Sequence, residues 1–297
     1  MIHVGTCSWR EKTLIQSREF YPKEVRTPEA RLRFYAENFN TVEVDSTYYA
    51  MPDRRNTYLW ADRTPDNFIF HIKAYGALTG HGIDPKTLPK DIQQILPDKD
   101  KQQARVFIKE PTVLRAMAGA FKEALTPLMN RGKMGMMVFQ FPPWIEYKKQ
   151  NLDYILSCKN AMGRIPIGVE FRHGSWLTQE NQDTLFHFLR KYQITYVTAD
   201  EPQYGNLATV PFVPHMTTDT AYFRFHGRNK ENWLKKGIET SLRYAYNYSD
   251  GELNEFVPTI KNMDKRAKAV YAMFNNCHGG FAMKNALKLK EFVRKQM

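Results

Sequence analysis

Cysteine is scarce in this 297-residue chain: there are three, Cys7, Cys158 and Cys277, an odd number set far apart. That excludes a disulfide framework as the main source of stability and suits a reducing compartment, the cytoplasm. No apolar run approaches the ~20 residues a helix needs to span a bilayer, so no membrane partner is expected. Met1 leads straight into Ile2-His3-Val4-Gly5 without a basic segment and apolar stretch, so no secretion leader is expected either. The glycine-rich turn of a dinucleotide fold and the Gly-Lys-Ser/Thr phosphate loop are both missing. No close-spaced histidine pair of the His-x-x-x-His kind marks a metal, and no cofactor is expected.

What is present is a globular chain, 42% hydrophobic and 13% aromatic, enough for a substantial core. Its 43 basic residues outnumber 31 acidic ones, for a net charge of +12. Such a chain is drawn toward anions. The excess is spread along the sequence, with short clusters such as Lys235-Lys236 that read as solvated faces. An anionic small molecule is therefore favoured as partner over nucleic acid.

Eight β-rich apolar segments punctuate the chain: Ile2 to Cys7, Thr41 to Asp45, Phe68 to Ala74, Met134 to Phe141, Ile165 to Arg172, Ile194 to Ala199, Ala221 to Gly227 and Ala267 to Asn275. Helical stripes lie between most of them, including Leu114, Met117, Phe121, Leu125 and Leu128. Thr27-Pro28 reads as a helix start, as does a capping box of Ser249 and Glu252. Alternating strands and helices indicate parallel βαβ units, and eight of them favour a single-domain (β/α)8 barrel over an open sheet. Three connections, at about 10–26, 75–109 and 200–220, exceed simple turns. All three leave C-terminal strand ends, where barrels carry their functional loops.

Several strands begin apolar and end charged. In extended chain every second side chain shares a face. Tyr222, Arg224, His226 and Arg228 would therefore line one face, as would Glu43 with Asp45, His71 with Lys73, and Glu170 with Arg172. Repeated around a barrel, this builds a charged mouth over a packed core.

The motifs also carry a resemblance. Val4-Gly5-Thr6-Cys7-Ser8-Trp9, Phe39 through Tyr49 with Pro52, and Phe68-Ile69-Phe70-His71-Ile72-Lys73 belong to it. So do Gln140-Phe141-Pro142-Pro143, Val169 through Trp176, Phe223 through Arg228, Arg243 through Ser249, and Phe274-Asn275-Asn276 through Asn285-Ala286. Over nearly its whole length the chain resembles the "domain of unknown function 72" family, the YecE-like proteins. The resemblance implies a (β/α)8 barrel and supplies no reaction.

The residue types point to a ligand site. Arg224, Arg228, Arg172 and Lys73 form a positive set able to hold phosphate or carboxylate. Glu170 and Glu43 are candidate general acids or bases, with Glu170 favoured, and His226 is a candidate proton carrier. His71, Asp45, Gln140, Asn275 and Asn276 complete the polar set, while Trp9, Tyr48 and Trp176 offer stacking faces just past strand ends. A barrel enzyme of the hydrolase, lyase or isomerase kind follows, moving protons on an anionic small molecule. A nucleic-acid-processing barrel using metal ligands drawn from Glu43, His71, Glu170, Asp200 and His226 is the alternative, and a non-catalytic ligand-binding barrel is another. A wholly structural ion-pair layer would use the same residues.

Overall fold

Eight strands close into one all-parallel barrel among residues 1–295, which the computed structural model describes. They are β1 (Ile2–Thr6), β2 (Thr41–Val44), β3 (Ile69–Lys73), β4 (Met134–Gln140), β5 (Ile167–Glu170), β6 (Thr195–Asp200), β7 (Thr220–Phe225) and β8 (Ala269–Phe274). Neighbours in sequence are neighbours in the barrel, and β1 pairs with β8 from Ile2 against Val270 to Thr6 against Phe274. This is the (β/α)8 barrel that the alternation of strand and helix patterns indicates. Closure leaves no unpaired edge.

Local signals set the helices around it. Thr27 accepts from the Ala30 N–H and opens the helix Pro28–Asn38, while Ser249 and Glu252 form the capping box of Asp250–Asp264. Buried Leu, Phe and Met on Pro111–Asn130 and Asp250–Asp264 face outward-pointing strand residues such as Val42, Phe70, Ile72 and Phe225 in one continuous apolar layer. A smaller cluster fills the lumen, from Met136, Val138, Val197, Tyr222 and Met273 with Cys7. The barrel thus has an apolar plug below and polar strand ends above.

Each long connection leaves a C-terminal strand end. The segment 10–26 carries the short helix Lys12–Ser17, and 75–109 is folded on itself by short helices and a bridge between Ile83 and Val106. Between β6 and β7, residues 201–219 hold no helix, so that strand pair is joined by irregular chain alone. Cys7 and Cys277 fall just past β1 and β8, and both are free thiols. No helix among the described residues is long and apolar enough to cross a membrane.

Candidate functional site

The strand alternation places Glu43, His71, Lys73, Gln140, Glu170, Tyr222 and Arg224 toward the lumen, at two depths. His71 lies in the lower layer. Its Nδ1 accepts the Met136 N–H at 3.2 Å, and its ring packs edge-on against Tyr271 and Tyr222. Gly135 is what admits this ring, since a Cβ there would stand 2.6 Å from it. Burial pushes His71 down to about 3, so it is a neutral filler beneath the site and not a mouth residue.

Above it, Arg224 is the hub of a buried ion-pair layer. It is wholly buried, donates to Asp45 Oδ1 at 3.1 Å, Glu170 Oε2 at 2.7 Å and Gln140 Oε1 at 3.0 Å, and stands 2.8 Å from Glu43 Oε1 as a charge contact without a hydrogen bond. Glu170 also receives Arg172 Nε at 2.5 Å and faces His226 Nε2 at 3.2 Å. Asn275 Nδ2 lies 3.0 Å from His226 Nδ1, and Arg172 Nη2 lies 3.1 Å from its Nε2, so the ring is held between an amide and a guanidinium beside Glu170. Glu43 accepts the Tyr222 hydroxyl at 2.7 Å, and Lys73 reaches Asp45 at 3.4 Å.

These neighbours sort the acids. Burial alone would raise Glu170, yet Arg172 and Arg224 together carry it well below the usual carboxylate range. Glu170 is therefore held as an anion between two arginines, one layer under the mouth. Glu43 goes the other way, raised to about 8 by burial against the pull of Arg224. Burial, then Arg172, depresses His226 to about 3, so it stands neutral.

Four further residues expected at the mouth, besides His71, lie elsewhere. Gly227 takes φ +87°, which ends the alternation of β7 and turns Arg228 out of the lumen. Arg228 there grips Asp200 at 2.9 Å, under Tyr248 and Phe256, with Tyr248 also donating to Asp200. Asn276 ties the Tyr246 carbonyl to Asn285 and fixes the last βα loop. Trp9 is buried edge-on between Trp60 and Phe70. Trp176 stacks on Phe171 at 4.1 Å, with its N–H bonded to the Ile145 carbonyl.

Over the ion-pair layer opens a cavity of about 570 Å³. Gln140, Lys73, Arg172 and Glu201 line it below, with Tyr48, Tyr49, His81 and Trp144 on one side and Trp233 and Tyr244 on the other. Arg105, Lys236 and Arg243 add positive charge around it. Of the expected site residues, Lys73, Gln140, Arg172 and Tyr48 line this cavity. Arg224, Glu170, Glu43, Asp45, His226 and Asn275 support it from beneath.

Glu201 is the carboxylate that strand reasoning missed. Only 1% exposed, it accepts Arg172 at 2.9 Å and the Val210 N–H at 2.8 Å, and burial raises it to about 7 against those donors. Continuing the alternation of Val197 and Ala199 by one step would have found it. Trp144 stands one residue beyond the Pro142-Pro143 pair. Trp233 and Arg243 come from the β7–β8 connection, whose short helices Lys230–Trp233 and Thr240–Arg243 carry no strong periodic signal.

The acids fit a cation poorly. Cys7, Glu43 and Asp45 offer ligand atoms within 4.8 Å of one another, but Arg224 already reaches all three, Cys7 Sγ at 3.8 Å. A metal would have to displace a buried guanidinium. The wider set expected for a metal is dispersed, His71 below and Asp200 outside the lumen.

Fold and site together define a (β/α)8 barrel protein with a basic, aromatic-walled mouth over a buried ion-pair layer. A model of the family described as "Protein of unknown function DUF72" matches residues 3–297, and the chain belongs to that family. It is 32% identical to the UPF0759 protein YunF of Bacillus subtilis, over 99% of this chain and 95% of that one. The crystal structure of a DUF72 family protein from Enterococcus faecalis superposes with a TM-score of 0.80 at 27% identity, covering 99% of this chain and 96% of the other. One from Thermotoga maritima gives a TM-score of 0.78 at 31% identity, covering 99% of each chain.

Proposed function

We propose that the mouth is the active site of an enzyme that transfers protons on an anionic small molecule, by hydrolysis, elimination or isomerisation. Glu201 carries this reading. Among the described residues it is the carboxylate that reaches the cavity, and its pKa of about 7 lets it both accept and release a proton near neutral pH. Arg172, bonded to Glu201 and itself lining the cavity, supports an anion beside that carboxyl group. Lys73, Arg105 and Arg243 extend the positive field that would draw the substrate in.

The buried layer beneath serves this site by holding Arg172 and Gln140 in place. Glu170 anchors the Nε edge of Arg172, leaving its other edge for Glu201 and the cavity. The free thiols support a cytoplasmic setting as part of the same proposal.

The test is turnover of a panel of phosphate and carboxylate metabolites, followed by mass spectrometry, with Glu201→Gln beside the parent. The parent should consume at least one compound with an apparent pKa near 7 in its rate profile. Glu201→Gln should lose about 10²-fold or more of that rate. Full turnover by the variant would refute the assignment.

A further inference from the structure

Building on the anionic-substrate reading, we infer that the cavity is shaped for a nucleobase-bearing phosphate of mononucleotide size. Charge alone would suit any phosphate; the walls call for a ring. Tyr48 meets His81 edge-on at 5.0 Å, and His81 meets Trp144 in the same way at 5.4 Å, a continuous aromatic side. Opposite, Trp233 and Tyr244 pack edge-on at 5.6 Å. Trp144 is 53% exposed, a large apolar face left open at the cavity rim. Open aromatic faces bind flat heterocycles whatever their edge pattern.

An edge reader is present too. Gln140 has its Oε1 fixed by Arg224 at 3.0 Å and Arg172 at 3.3 Å. Its Nε2 makes no hydrogen bond among the described residues and is the group left to donate into the cavity. Glu201 stands beside it on Arg172 as the complementary acceptor. A donor next to an acceptor matches the carbonyl and N–H edge of a base.

The phosphate has its own partners. Arg105 and Arg243 each use one N–H on a carbonyl oxygen, of Gly82 and Lys235, and pair with no carboxylate among the described residues. The Nε of Arg243 is shielded from solvent and unpartnered. Lys236 stands with them at the rim. The cavity of about 570 Å³ falls within the ordinary range for small-ligand sites.

Calorimetric titration of the full chain with UMP, AMP, CMP and GMP, alongside ribose 5-phosphate, inorganic phosphate and a ten-residue oligothymidylate, tests this. At least one mononucleotide should bind about tenfold or more tighter than ribose 5-phosphate. Trp144→Leu should abolish that margin without weakening ribose 5-phosphate. Arg243→Gln should weaken both by a similar factor. Equal binding of ribose 5-phosphate and every mononucleotide would overturn the base-stacking inference while leaving the anionic-substrate reading intact. Binding of none of the phosphates would overturn both. Oligothymidylate binding a hundredfold tighter than any mononucleotide would overturn the mononucleotide assignment in favour of a nucleic-acid strand.

Discussion

Glu170→Gln is the most revealing single change, because it keeps the shape of the side chain and removes one buried charge. Three groups depend on that charge: Arg172 at 2.5 Å, Arg224 at 2.7 Å and His226 at 3.2 Å, all sealed from solvent or nearly so. Removing one member of such a cluster leaves a buried guanidinium short of compensation, which costs about 3–5 kcal/mol. A chain of this length has a steep urea dependence, about 3 kcal/mol/M or more, so the midpoint should fall by roughly 1–1.7 M. The effect also has a pH signature. Glu170 has its folded pKa depressed, so its stabilisation is full above the ordinary value of 4.5 and fades as pH falls through the folded value. The deficit of the variant should therefore be constant from pH 5 upward and shrink in acid. Urea titrations of parent and variant at pH 3.5 and 7 measure both. A midpoint within 0.3 M of the parent at pH 7, a limit of roughly 1 kcal/mol, would refute the placement of Glu170 as the fixed anion of the layer.

Further outcomes follow from the same contacts. Glu43 and Glu201 have raised folded values, about 8 and about 7, whereas His71 and His226 are depressed to about 3 and offset them below the ordinary histidine value of 6.5; stability should therefore fall as pH rises from about 6.5 through 8, and Glu43→Gln should flatten that fall in thermal melts. Gly227→Ala places a side chain at φ +87° and 2.5 Å from Tyr246, and should cost about 2 kcal/mol or more by urea titration. Arg228→Met strips Asp200 of its guanidinium and should cost roughly 2–4 kcal/mol in the same measurement while leaving anion affinity by calorimetry unchanged.

Much of this molecule was legible because a strand leaves so little freedom. Once β7 reads as extended, Tyr222 and Arg224 must share a face, and His226 continues it. The eight strands and their parallel order follow from the same periodicity with the helices between them. Legibility ends where the chain leaves the strand. Arg228 looks like the next member of its face, but Gly227 reverses the backbone and sends it outward to Asp200. Trp9 and Trp176 follow strand ends as a lid residue would, yet both fold back onto Phe70 and Phe171. The cavity walls come from loops, and His81, Arg105, Trp144 and Arg243 meet only through tertiary packing. Charge was misleading in its own way. Arg224 looks like an anion ligand in sequence, whereas three carboxylates already surround it.

The barrel mouth is proposed to bind an anion above an intact ion-pair layer. A crystal structure grown in phosphate measures this most directly. A phosphate should lie within hydrogen-bonding distance of Arg172, Arg105 or Arg243, with Arg224 still joined to Glu43, Asp45 and Glu170. A phosphate seated on Arg224 or Arg228, with those carboxylates displaced, would contradict it, as would a mouth without any bound anion.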